Sequence, residues 1–136
     1  MKKATTMALF VMLFSNVKTF AQMPMQDMGK AKIIAVVNKA SWCPVCKAHG
    51  QNAGMVMMPY TQHGLAILMN DLTDDQSKAA AKKELTSAGV YYAVKGVKET
   101  GVVIFVDAKT HKKLGQTSIA IDNEDLKKEI EKYLKS

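Results

Sequence analysis

Cys43 and Cys46 are the only two thiols in a chain of 136 residues, and only Pro44 and Val45 separate them. Two cysteines at that spacing can exchange reversibly between dithiol and disulfide, form a fixed structural bridge, or supply half of a metal site. The local sequence, Ser41-Trp42-Cys43-Pro44-Val45-Cys46-Lys47, favours the first. Pro44 suits the first turn of a helix, because its missing N–H would have no partner there anyway. Cys43 then stands at a helix N-terminus, where unpaired N–H groups and the positive end of the dipole stabilise a thiolate. Cys46 falls one turn further on, within disulfide reach, and facing the helix wall it is expected to be the less exposed. Cys43 reads as the attacking nucleophile and Cys46 as the thiol that resolves the mixed disulfide. Trp42 is expected to flank the site with apolar surface.

The elements that hold this pair follow from the pattern. Ile33 to Val37 is an unbroken apolar run, mostly β-branched, within Ala31–Asn38; it predicts a strand buried on both faces. A helix from Pro44 to about Gln62 is expected to bend at Pro59. Leu65–Met69 is a second buried strand. Asp75–Ala88 is a helix, with Thr73 or Asp74 as its cap and Gly89 as its stop. Val102–Asp107 is a third strand, and Lys112–Gln116 a weaker fourth after a turn at 108–111. Asn123–Lys135 is a last helix behind Asp122, with Leu126, Ile130, Tyr133 and Leu134 at helical spacing. Val90–Thr100 fits no single element. The order βαβαββα describes an α/β domain with a central mixed sheet flanked by helices. Its first three strands, in βαβ units, are expected to pair parallel, with an antiparallel hairpin at the edge.

Residues 1–21 read as a secretory signal peptide. Lys2 and Lys3 precede an apolar run, Met7–Phe14, and Thr19-Phe20-Ala21 offers small residues before a cut. The run is too short for the ~20 apolar residues of a membrane span. An exported protein, in the periplasm, with no stable membrane insertion after cleavage, is the expectation. Residues 22–30, rich in Met, form a flexible lead-in, and 31–136 the domain. Export places the cysteines where a disulfide persists. The formal charge of +7 comes from 19 lysines and no arginine against 12 acids, and three of those lysines lie within the leader. Scattered lysines without Arg do not support nucleic-acid binding.

Trp-Cys-x-x-Cys-Lys after an apolar strand resembles the active-site signature of the thioredoxin superfamily. The likeness spans about Lys32 to Leu134 and includes the Pro59 kink and the closing helix. It implies an exported thiol–disulfide oxidoreductase, monomeric, whose sole redox group is the Cys43–Cys46 disulfide. Its partners would be a protein thiol or disulfide substrate and an upstream redox protein. A Pro after the first Cys, with no His before the second, resembles exported reductases of the cytochrome-maturation type, so a reductant is expected. Two departures stand out. The family's cis-proline before the third strand is missing, since the only prolines are Pro24, Pro44 and Pro59. Thr100, to within a residue, takes its place and is expected to keep a trans bond and contact the partner. The family's buried acid in the first strand maps to Val37, with Lys39 nearby. Trp42, Pro44, Val45 and Thr100 are thus the tuning and contact residues.

Two other functions fit the same residues. Cys43, Cys46 and His49, the last three residues after Cys46, could ligate copper or zinc in a periplasmic carrier. The methionines Met55, Met57, Met58 and Met69 would favour copper, but core packing is the expectation for them. A non-catalytic binding domain on the same scaffold is the other. Haem attachment is excluded, because Lys47 rather than His follows the second Cys.

Overall fold

The computed structural model describes residues 27–136. The signal peptide expected over residues 1–21 lies outside the described residues, as does residues 22–26 of the lead-in. Of that lead-in, Met28–Lys30 forms a 3-10 turn, in which the Asp27 carboxylate accepts the Gly29 N–H.

Among the described residues four strands and three helices follow in the expected order, and a further single-turn helix stands before the third strand. They are β1 (Ile33–Lys39), α1 (Pro44–Met57), β2 (Leu65–Asp71), α2 (Asp75–Ser87), a single-turn α3 (Tyr91–Val94), β3 (Val102–Asp107), β4 (Lys113–Ser118) and α4 (Asn123–Leu134). The sheet runs β2-β1-β3-β4. α1 continues past Met57 into a 3-10 segment, Met58–His63, since Pro59 has no N–H to extend the α ladder. Asp74 caps α2 by accepting the Ser77 N–H, and Asp122 caps α4 by accepting that of Glu124.

β1 pairs parallel with β2, but β3 runs antiparallel to β1, against the all-parallel expectation. The cause lies in 90–101, the stretch that fits no single element. α2 carries the chain away from the cysteine end of the sheet. Val90, α3 and the loop after it then bring it back, so that Gly101 N–H donates to the Asn38 carbonyl (2.7 Å) at the C-terminal end of β1. β3 must therefore start at the cysteine end. β4 then returns beside β3, with a bulge at Phe105/Val106.

β1 is central, which explains its unbroken apolar run: residues 33–38 are all buried. Ile33, Ala35 and Val37 face Phe105, Met57 and the Leu126 and Ile130 stripe of α4. Ile34 and Val36 face Leu85 of α2 and Val90 and Val94 beside it. Of the four methionines expected in the core, Met57 is fully buried and Met69 packs at the edge of the core. Met55 and Met58 are not core: they are 65% and 40% exposed. Four successive residues of a helix, Met55–Met58, cannot all face one side, and Val56 and Met57 take the inner one.

Candidate active site

The site forms where β1 ends and α1 begins. Cys43 is the N-cap of α1, with extended dihedrals (φ −81°, ψ 112°), and its Sγ accepts the Cys46 N–H at 3.1 Å. The two cysteines are joined in a disulfide, with Cα atoms 5.3 Å apart. A backbone N–H aimed at Sγ is the arrangement that favours a thiolate at Cys43 once the bond is reduced. Pro44 opens the helix and Val45 is partly exposed.

The expected order of burial is reversed. Cys43 is only 2% exposed, whereas Cys46 is half-buried. The residue responsible is Gly101, directly after Thr100. It holds φ +75°, and a Cβ placed on it would lie 2.8 Å from Val45 Cγ1 and 3.7 Å from Cys43 Sγ. The turn before β3 thus closes over the N-cap rather than over the helix wall. None of the described peptide bonds is cis. Gly101→Ala is expected to destabilise the protein by roughly 1–2 kcal/mol from the left-handed backbone alone, and more from the clash. A thermal melt checks this, and Val45→Ala in the same chain should restore the part due to the clash.

Asn38 escaped the sequence analysis. Val37, the position considered for a buried acid, simply packs in the core on the α1 side. Its neighbour Asn38 is fully buried on the opposite face. Its Nδ2 donates to the carbonyls of Val97 and Glu99, both at 3.0 Å, and its Oδ1 accepts from Asn70 Nδ2 at 2.8 Å. Its own carbonyl accepts the Gly101 N–H and lies 4.0 Å from Cys46 Sγ. One residue therefore fixes β2, the turn before β3 and the floor of the disulfide. The signal was present in a polar residue ending an otherwise apolar central strand, since buried amides are kept where they are fully bonded.

A second polar strap holds the loop before Cys43. Thr73 Oγ1 accepts the Ser41 N–H (2.9 Å) and donates to Asp71, and the indole N–H of Trp42 donates to the Thr73 carbonyl (3.1 Å). Trp42 is 58% exposed and held by this edge. Lys39 Nζ pairs with Asp71 at 3.2 Å, so the lysine near the cysteines is directed to a carboxylate. The Thr73 hydroxyl is the main cause holding the Asp71 carboxyl below its ordinary range; burial opposes it, and the Thr73 N–H and Lys39 reinforce it. A depressed folded pKa stabilises the fold above the unfolded value, ~3.9, and that stability fades as pH falls through the folded value. Trp42, the only tryptophan, reports the strap. Its emission is expected to shift in acid, and in Asp71→Asn the acid-dependent part should flatten. An unchanged acid titration in that variant would show that Asp71 does not hold the loop.

His49 is exposed, one turn beyond Cys46. Among the described residues no three or more His, Cys, Asp or Glu side chains are grouped to hold a metal ion. With Cys43 and Cys46 joined to each other, the two cysteines and His49 are not grouped as a three-ligand centre.

No family profile matches the chain. No curated protein matches it either. Solved structures do. A Trxlp from Edwardsiella tarda superposes with TM-score 0.51 at 18% identity, covering 74% of this chain and 84% of its own. A thiol:disulfide interchange protein of the thioredoxin family from Chlorobium tepidum gives 0.53 at 16%, covering 77% and 81%. A secreted Mycobacterium tuberculosis disulfide oxidoreductase, homologous to E. coli DsbE, gives 0.51 at 14%, covering 76% and 84%. The fold is thioredoxin-like. At these identities the likeness is one of fold. Within the thioredoxin-like fold of this chain, the disulfide-bonded pair occupies the junction of the central strand and the helix that follows it.

Proposed function

We propose that this protein is an exported thiol–disulfide oxidoreductase that works chiefly as a reductant of protein disulfides. The observation that carries the reading is the N-cap geometry: Cys46 N–H donates to the Sγ of Cys43 at the start of α1. In the reduced protein the Cys43 thiolate attacks a substrate disulfide and expels one substrate thiolate. Cys46, as its thiolate, then attacks Cys43 Sγ, releases the second substrate thiolate and closes the Cys43–Cys46 bond. Two electrons pass to the substrate, and an upstream dithiol protein returns them by the reverse exchange. The Asn38 carbonyl lies 4.0 Å from Cys46 Sγ, the resolving sulfur. Thiol exchange of this kind needs no metal or organic cofactor.

Pro44 and Val45 tune the potential, Trp42 shapes the surface beside the pair, and Thr100 in the turn over Cys43 contacts the substrate. A secreted disulfide oxidoreductase shares this fold, which supports the compartment and the chemistry. Among the described residues no helix is long and apolar enough to cross a membrane. The protein acts as a monomer in the periplasm after cleavage at Ala21, and the N-terminal residue of the secreted form is therefore expected to be Gln22.

The test is the Cys43–Cys46 equilibrium in glutathione buffers, read by thiol trapping and mass. A potential near the thioredoxin end of the range, about −270 mV, fits a reductant. A value near −120 mV would make it an oxidant of exported thiols.

A further inference from the structure

The second feature of the surface lies away from the disulfide. A groove of about 720 Å³ runs between the C-terminal half of α1, the 3-10 segment after it and strand β2 at the sheet edge. Three methionines line it: Met55, Met58 and Met69. Met58 keeps helical dihedrals (φ −53°, ψ −45°), so Met55 and Met58 stand three apart on one helical face and are neighbours there. Met69 reaches the same groove from β2. Gly50 and Gly54 leave it open, because a Cβ on either would meet nothing within 4 Å.

The polar residues of the groove are neutral. Gln51, Thr61 and Gln62 line it, and no charged residue does, in a chain that is 23% charged. A hard divalent cation wants carboxylates or waters and would find no compensating charge. Soft, uncharged thioethers instead select a soft monovalent ion, and Cu(I) is the biological one. Packing accounts for Met57, which is fully buried, but not for Met55, which is 65% exposed and lines the groove.

We infer that this groove is a Cu(I) site in which Met55, Met58 and Met69 supply the thioether ligands. It is separate from the thiol pair and uses neither cysteine, so it stands whether or not the redox function does. No electrons move on binding: Cu(I) passes from a competing ligand to the sulfurs and stays Cu(I).

The experiment uses the secreted chain carrying Cys43→Ser and Cys46→Ser, which removes the competing thiols. Its fold is checked by circular dichroism. Cu(I) is offered anaerobically from a coloured chelator, and the colour lost gives stoichiometry and affinity. One Cu(I) per chain is expected. Met55→Leu and Met58→Leu conserve side-chain volume, and each is expected to weaken binding by at least about tenfold, as loss of a ligand should exceed loss of an outer-shell partner. Met57→Leu, in the core, serves as the control and should change nothing. Zn(II) should not compete. Absence of Cu(I) uptake by the double-Ser chain overturns the inference. So does uptake that is indifferent to Met55→Leu and Met58→Leu, or equal uptake of Zn(II).

Discussion

Cys46→Ser is expected to arrest the protein on its substrate. Cys43 keeps its place at the N-cap and still receives the residue-46 N–H, because that donor is backbone. The variant therefore attacks a disulfide but has no second sulfur to release the product. A covalent mixed disulfide should accumulate, visible as a mass shift that reducing agent removes. Multiple-turnover reduction should fall to background. Cys43→Ser is expected to be equally inactive but to form no such adduct, since the N–H donated at the helix start goes to the sulfur of Cys43 and not to that of Cys46. The pair of variants separates the two roles, which burial does not: the half-buried Cys46 is the more accessible of the two, and an adduct trapped by Cys43→Ser rather than by Cys46→Ser would reverse the assignment. Both adducts in equal yield would mean that helix-start electrostatics do not control the attack. Full activity in Cys43→Ala would favour the non-catalytic binding domain.

Asn38→Leu is expected to be the most destabilising single substitution near the site. It removes the donor to the Val97 and Glu99 carbonyls and the acceptor for Asn70. Each buried group left unpaired costs ~1–3 kcal/mol, so the loss should be about 3 kcal/mol or more. For a domain of this size that lowers the melting temperature by more than about 10 °C. Asn38→Asp offers a finer test. A carboxylate there would face two carbonyl oxygens in a buried setting, which raises its pKa above the unfolded ~3.9. A raised folded pKa means that its share of stability is complete below the unfolded value and is lost as pH rises through the folded one. The deficit relative to the native protein should therefore be small near pH 4 and large near pH 8. A deficit independent of pH would show that residue 38 does not sit in the closed polar cluster described. The Cys43–Cys46 potential should move as well, since the same residue sets the turn over Cys43.

The sequence carried most of the fold because its strongest signals are local. The apolar run of β1, the caps Asp74 and Asp122, the stripe of α4 and the Cys–Pro start of α1 all act within a few residues. What it did not carry depends on pairings far apart in the chain. The direction of β3 is set by the returning segment 90–101, which has no periodic pattern to read. The covering of Cys43 arises from Gly101, one residue beyond Thr100, and only its φ of +75° reveals that role. Asn38 looked like the end of a strand because its three side-chain partners lie in loops and a neighbouring strand. Met55 and Met58 are exposed for a different reason: residue type predicts burial on average, but the helix face decides it for each one.

The long reach of the Asn38 bonds also bears on when the site comes into being. Its partners Val97 and Glu99 lie 59 and 61 residues further along the chain, and the central strand is complete only when β3 docks beside it. Loop-closure entropy over such a span must be met before those contacts return anything, which slows the step. Until then Cys43 has its local helix start but no turn over it. Reactivity is thus acquired late, with the last large pairing of the fold. On the proposed reading, a chain still unfolded would carry two thiols without the completed site, and would gain its redox function only as folding closes.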